Sequence, residues 1–286
     1  ASDVYKRQEQ REFVGLISGL AKRGRVVYDR HIHFIDFTDF GAEQPQYINL
    51  IRDPIQMQIS TYYFWHDCAC RTHRPFCQAA WQPRNDSGFC LLDMDAVYAQ
   101  VPPYPVVGTI TRYLCGHDPV CLVADPASAS ARRAALERAI DNLYNRYLWV
   151  GVLERFEDSL QLLVQLLPGF FGSLNVTQAS RAHVRPDSGT YSYQQPKAST
   201  LVKLAQENEN DLSLYRHATQ LLDCRLRRCG SQPQTGAAFG CVAAEIGSRF
   251  HGTHRGIGPL RTIGNLAANR LLDGGRTRLP SRRYGR

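Results

Sequence analysis

The chain has 286 residues, 43% of them hydrophobic and 10% aromatic, enough to bury one sizeable core with a small second region besides, which excludes a wholly disordered or fibrous chain. Its formal charge of +8 invites a polyanion reading, yet nine arginines against Glu245 and Asp273 past residue 230 supply seven of those eight charges. Residues 1–230 are near electrical balance, so net charge does not identify a substrate, and any anion groove must come from local placement.

Residues 1–8 (ASDVYKRQ) share no period with the residues after them and read as an appended leader. Residues 9–22 predict a short amphipathic helix through Phe13, Leu16, Ile17 and Leu20. The segments 26–28 and 32–37 are strand-like and flank His31. Residues 47–51 (YINLI) form an apolar run suited to a buried parallel strand; Arg52 and Asp53 end it, and Pro54 opens a helix carrying Ile55, Ile59, Tyr62 and Tyr63. Residues 66–90 read as a long loop, and 91–121 as short elements. Helix is predicted over 127–147, a second buried strand over 148–152, and a helix over 157–167 stopped by Pro168. After a polar stretch over 175–195, one long helix is expected from Pro196 to about Arg228, with Leu201, Leu204, Leu212, Tyr215, Ala218 and Leu222 on its apolar face. Residues 231–286 turn to Gly and Arg and read as disordered or non-native. Alternating strand and helix over 9–230 point to an α/β domain with a parallel sheet.

Nine cysteines are more than a cytosolic domain of this size needs. In CGHDPVC the Gly and Pro favour a turn that brings Cys115 and Cys121 close enough for a disulfide. The sequons at Asn85 and Asn175 agree with a secretory lumen. No run approaches the roughly 20 apolar residues of a membrane span, and no signal peptide opens the chain, so a lumenal protein implies a missing N-terminus. His66, Cys68, Cys70, His73 and Cys77 crowd one segment, but without the paired CxxC spacing of structural zinc sites disulfides involving Cys77 or Cys90 are preferred, and no metal is expected.

Four stretches in register carry a family resemblance: DRHIHFIDFTDFG, YINLIRDPIQMQISTYYF, RYLCGHDPVC and NRYLWVGVLERFEDSLQLLVQLLPGFF. Together they resemble the glycosaminoglycan uronyl 2-O-sulfotransferases, with HIHF leaning towards the dermatan and chondroitin branch and the heparan sulfate branch close behind. The resemblance implies a P-loop-like sulfotransferase fold, a central parallel sheet flanked by helices, and sulfuryl transfer from PAPS to the 2-O position of a uronic acid. It implies Golgi lumenal residence as a type II membrane protein, a polysaccharide partner and no nucleic acid, and it leaves homo-oligomerisation open. No PKTGST-like loop precedes His31, so the first strand and the grip on the donor's 5′-phosphosulfate are expected to be missing, and the polypeptide alone to be inactive.

By the same resemblance His31 is the catalytic base, and Arg52 and Ser60 hold the donor 3′-phosphate. An imidazole near neutral pH can take a hydroxyl proton without standing charge, and a guanidinium with a hydroxyl suits a phosphate. The bland alternatives are a structural His31, an Arg52 paired with Asp53 or capping a helix, and a Ser60 that only packs. His33, two residues on, would share the face of His31 in a strand, and Asp29 stands where the heparan branch has a second His. Thr190 falls at a donor-contacting position, although Tyr193 replaces the Lys beside it. Arg71, Arg74 and Arg84 fall in the loop that carries substrate-binding arginines. The alternative function is a non-catalytic lumenal module that binds glycosaminoglycan or a nucleotide-like anion.

Overall fold

A computed structural model describes residues 5–29, 31–70, 89–100, 108–122, 128–182 and 194–229. It is an α/β arrangement in which helices dominate and two parallel strands form a small sheet. Helix α1 (Arg7–Ala21) opens two residues before its predicted start because the Lys6 amide donates to Glu9 Oε2 at 2.7 Å, half of a capping box. Val14 is buried with Ile35 and Phe37, and Tyr5 meets the Phe13 ring edge-on.

The strand-like reading of 26–28 and 32–37 is not met. Among the described residues the segment enters no ladder; its Phe34 amide donates to the Tyr113 carbonyl at 2.9 Å, and a 3₁₀ turn follows at Phe37–Phe40. Val26 and Val27 are exposed, which burial on a sheet would not allow. The next expectation holds: β1 (Tyr47–Ile51) pairs in parallel with β2 (Tyr147–Val152), Ile51 opposite Val152. The second strand is almost wholly buried, whereas β1 is half-covered and leaves Leu50 exposed.

Helix α2 (Pro54–Cys70) takes in the first five residues of the predicted 66–90 loop. His66 to Cys70 contain neither Pro nor Gly, and a disulfide from Cys70 to Cys90, with Cα atoms 5.5 Å apart, ties its end to a 3₁₀ turn at Phe89–Leu91. Then come α3 (Met94–Gln100), α4 (Thr109–Cys115) and α5 (Ala129–Asn145), the last capped by Ser128, whose Oγ accepts from the Ala131 amide at 3.2 Å. After β2, α6 (Phe156–Leu166) ends where Pro168 opens a single turn, α7 (Pro168–Phe171), so the proline starts a helix as well as stopping one. The polar stretch holds α8 (Val176–Ala182), capped by the exposed sequon residue Asn175.

The single helix expected over 196–228 is two, α9 (Ala198–Glu207) and α10 (Glu209–Cys229). Asn208 breaks it: its φ of −106° and ψ of 25° leave the helical region, and its Nδ2 donates to the Leu204 carbonyl at 2.9 Å. Apolar spacing continues across the break, so periodicity could not reveal it. The halves serve different layers. Leu204 of α9 is buried with Ile59 and Tyr62 of α2 and with Val97 of α3, while Leu214, Ala218 and Leu221 of α10 pack with α4, α5 and the strands. Trp149 and Val152 pack with Leu160 and Leu163 of α6.

Candidate active site

Arg52 sits where it was expected, directly past the carboxyl end of β1. Asp53 caps α2 by accepting from the Gln56 amide at 2.9 Å, so its carboxylate is committed to the helix. The partner of Arg52 is instead Glu154, two residues past the buried end of β2: Arg52 Nε lies 4.0 Å from Glu154 Oε1. Glu154 also accepts from the Asp53 amide at 3.0 Å and from the Tyr215 hydroxyl at 3.0 Å. Burial, then the Glu154 carboxylate, pushes the Tyr215 hydroxyl up to about 12, so it stays protonated as the donor. About a third of the Arg52 side chain is exposed, at 37%, so the guanidinium keeps a wet edge that can meet an anion. Ser60 lies on α2, roughly 9 Å along its axis from Pro54 at the usual helical rise, and is half-buried.

Glu154 was not singled out from the sequence, and Tyr215 was read only as part of an apolar helix face. The signal for Glu154 was present: it is the first charged residue after the second parallel strand, as Arg52 is after the first. Its neighbour Arg155 is held by Asp158 and Asp223, and these carboxylates raise its pKa. Arg225 is buried against the carbonyls of Tyr147 and Leu148 at the start of β2.

His31 is exposed, with its ring centroid 6.4 Å from that of Tyr113 on α4. His33 neighbours the same Tyr113 ring but differs in burial: it is 6% exposed, its ring 4.7 Å from Tyr113 and its Nδ1 3.4 Å from the Gly116 carbonyl. Phe34 packs against Tyr47 and Tyr147, with ring centroids 5.0 and 6.0 Å away, so this segment is anchored at the strand starts. Among the described residues no hydrogen bond, ion pair or ring contact joins His31 to Arg52 or Ser60. The segment that carries the candidate base and the strand that ends at Arg52 share one core, through Phe34 and Ile51.

Cys115 and Cys121 are bridged, with Cα atoms 5.5 Å apart. Cys90 is bridged to Cys70, and Cys68 is also disulfide-bonded, so thiols that a zinc reading would need are consumed. Among the described residues there is no group of three or more His, Cys, Asp or Glu placed to hold a metal ion. Arg71, Arg74, Arg84 and Thr190 lie outside the described residues, as do Cys77 and the 231–286 tail.

The chain is 33% identical to uronyl 2-sulfotransferase of Homo sapiens over 178 residues, 59% of this chain and 41% of the human protein. It is 31% identical to heparan sulfate 2-O-sulfotransferase hst-2 of Caenorhabditis elegans over 192 residues, and 30% identical to heparan sulfate 2-O-sulfotransferase 1 of Xenopus laevis over 213 residues. These two alignments cover 64% and 72% of this chain and 54% of each relative. The chain thus spans about half the length of the curated relatives it matches. No protein-family model matches it. The relatives are the uronyl and heparan sulfate 2-O-sulfotransferases that the four sequence stretches resemble.

Proposed function

We propose that this chain belongs to an enzyme that transfers a sulfuryl group from PAPS to the 2-O position of uronic acid residues in a glycosaminoglycan, dermatan, chondroitin or heparan sulfate. The observation that carries the reading is the similarity to uronyl and heparan sulfate 2-O-sulfotransferases, joined to a parallel strand, polar turn and helix with Arg52 at the carboxyl end. Anions bind at that end of parallel strands because helix N-termini and strand-end cations converge there. The sheet is part of a P-loop-like sulfotransferase fold. Arg52 and Ser60 hold the donor's 3′-phosphate, with Thr190 as a further donor contact, and Arg71, Arg74 and Arg84 meet the sulfates and carboxylates of the polysaccharide. His31 takes the proton of the acceptor hydroxyl while that oxygen bonds to sulfur and the sulfur–oxygen bond to the leaving bisphosphate breaks. No metal is required for this chemistry. The disulfides and the exposed Asn175 sequon support residence in the Golgi lumen, with anchoring as a type II membrane protein; among the described residues no helix is long and apolar enough to cross a membrane.

The test is made in the whole protein with PAPS and desulfated dermatan or heparan as acceptor. His31→Ala is expected to lower turnover by about a hundredfold or more while the affinity for donor changes little, because a base acts in the transition state. Arg52→Ala is expected to weaken binding of the bisphosphate product by about 1.5–3 kcal/mol, the scale of a lost charge-assisted contact, read by calorimetry. Near-normal transfer by His31→Ala would remove the base assignment. A protein that binds the polysaccharide and transfers nothing would be a binding module instead.

A further inference from the structure

Among the described residues no ladder holds the His31 segment, and yet its next residues are fixed at three points, one at the end of α4 and two in the short loop that follows it. The Phe34 amide donates to the Tyr113 carbonyl at 2.9 Å. His33 Nδ1 lies 3.4 Å from the Gly116 carbonyl, and His117 Nδ1 lies 3.2 Å from the Phe34 carbonyl. A carbonyl has no proton to give, so each Nδ1 carries the hydrogen, and the two imidazoles, 5.4 Å apart between centroids, brace the two backbones reciprocally. The loop is itself built to come this close. Gly116 has φ of 108°, and a Cβ there would stand 2.6 Å from the Phe34 oxygen, so no other residue fits without displacing the His31 segment. The Cys115–Cys121 disulfide closes the loop, and the buried Asn142 Nδ2 donates to the Leu114 and Cys115 carbonyls at 2.8 and 3.2 Å, fixing it to α5.

We propose that the disulfide loop from Cys115 to Cys121 is the positioning element of His31, acting through the His33–Gly116 and His117–Phe34 brace. His33 and His117 are positioning residues: buried or half-buried, they hold the chain two residues from an exposed ring and leave proton transfer to His31. The proposal rests on the reading of His31 as base.

The experiment measures kcat and donor KM in the whole protein for His117→Phe, His117→Asn, His31→Ala and the double variant His31→Ala with His117→Phe. Phenylalanine keeps the ring volume and removes the Nδ1 donor; asparagine restores an N–H near the same place. His117→Phe is expected to lower kcat by about 10–100-fold, the cost of misplacing a reacting group by about an ångström, with donor KM changed by about twofold or less. His117→Asn should recover most of that loss. In the His31→Ala background His117→Phe should cost about twofold or less, since a residue acting through His31 has nothing left to position. The full His117→Phe effect persisting without His31, or an equal loss in His117→Asn and His117→Phe, would overturn the brace. Near-normal kcat of His31→Ala alone would overturn the base assignment instead, an outcome that the His117 variants by themselves do not produce.

Discussion

Asp211 has no exposed surface, and its two oxygens take three hydrogen bonds from residues a hundred positions earlier in the chain. Oδ2 accepts from the Ile110 amide at 3.1 Å, and Oδ1 from the Thr111 amide and hydroxyl at 2.8 and 2.5 Å, so α4 receives its N-terminal cap from another helix. Burial raises the carboxyl pKa, while the donors from Thr111 and Ile110 pull it back. An amide in place of the carboxylate sets an N–H against the Ile110 or Thr111 amide. Asp211→Asn is therefore expected to destabilise the fold by about 1–3 kcal/mol, measured by urea unfolding, the cost of leaving a buried donor unmet. Nothing in the sequence pointed to this residue, since a long-range cap has no local spacing. The residues that were legible are those whose role follows from chain order: Arg52 ends an apolar run, and Cys115 and Cys121 flank a Gly–Pro turn.

The elements legible in the sequence were those with a strong period or a clear stop, namely both strands, the start of α2 at Pro54, α5 and α6. Those misread were decided by partners distant in sequence. The 32–37 segment alternates like a strand but enters no ladder among the described residues, and Asn208 breaks a helix whose apolar spacing runs on. At the end of β2, Ser159 replaces a missing ladder partner: its hydroxyl donates to the Val152 carbonyl at 3.0 Å and accepts from the Val152 amide at 2.9 Å, while its own carbonyl receives Trp149 Nε1 at 2.9 Å. Both Ser159 and Val152 are buried, so Ser159→Ala leaves two backbone groups without water or partner. A loss of about 1–3 kcal/mol in unfolding free energy is expected, with Val152 exchanging its amide hydrogen faster than its neighbours in β2.

At the scale of the molecule, the strands, α4, α5 and α10 share the largest core, whereas α1 buries little beyond Gln10 and Val14 and rests on the 35–42 stretch. Its amides are expected to exchange before those of α5 and β2 in native-state hydrogen exchange, because few buried apolar contacts oppose its opening. Equal protection of α1 and α5 would show one cooperative unit. Helix α10 has a further part in this arrangement. Asp211 caps α4, the helix that leads into the loop bracing His33 and Phe34, and Tyr215, one turn later, donates to Glu154, the partner of Arg52. Residues four apart emerge on one side of a helix about 6 Å from each other. One turn of α10 therefore touches both the helix that leads into the His33–Phe34 brace and the carboxylate partner of Arg52, so a substitution that displaces this turn is expected to disturb the surroundings of both residues at once.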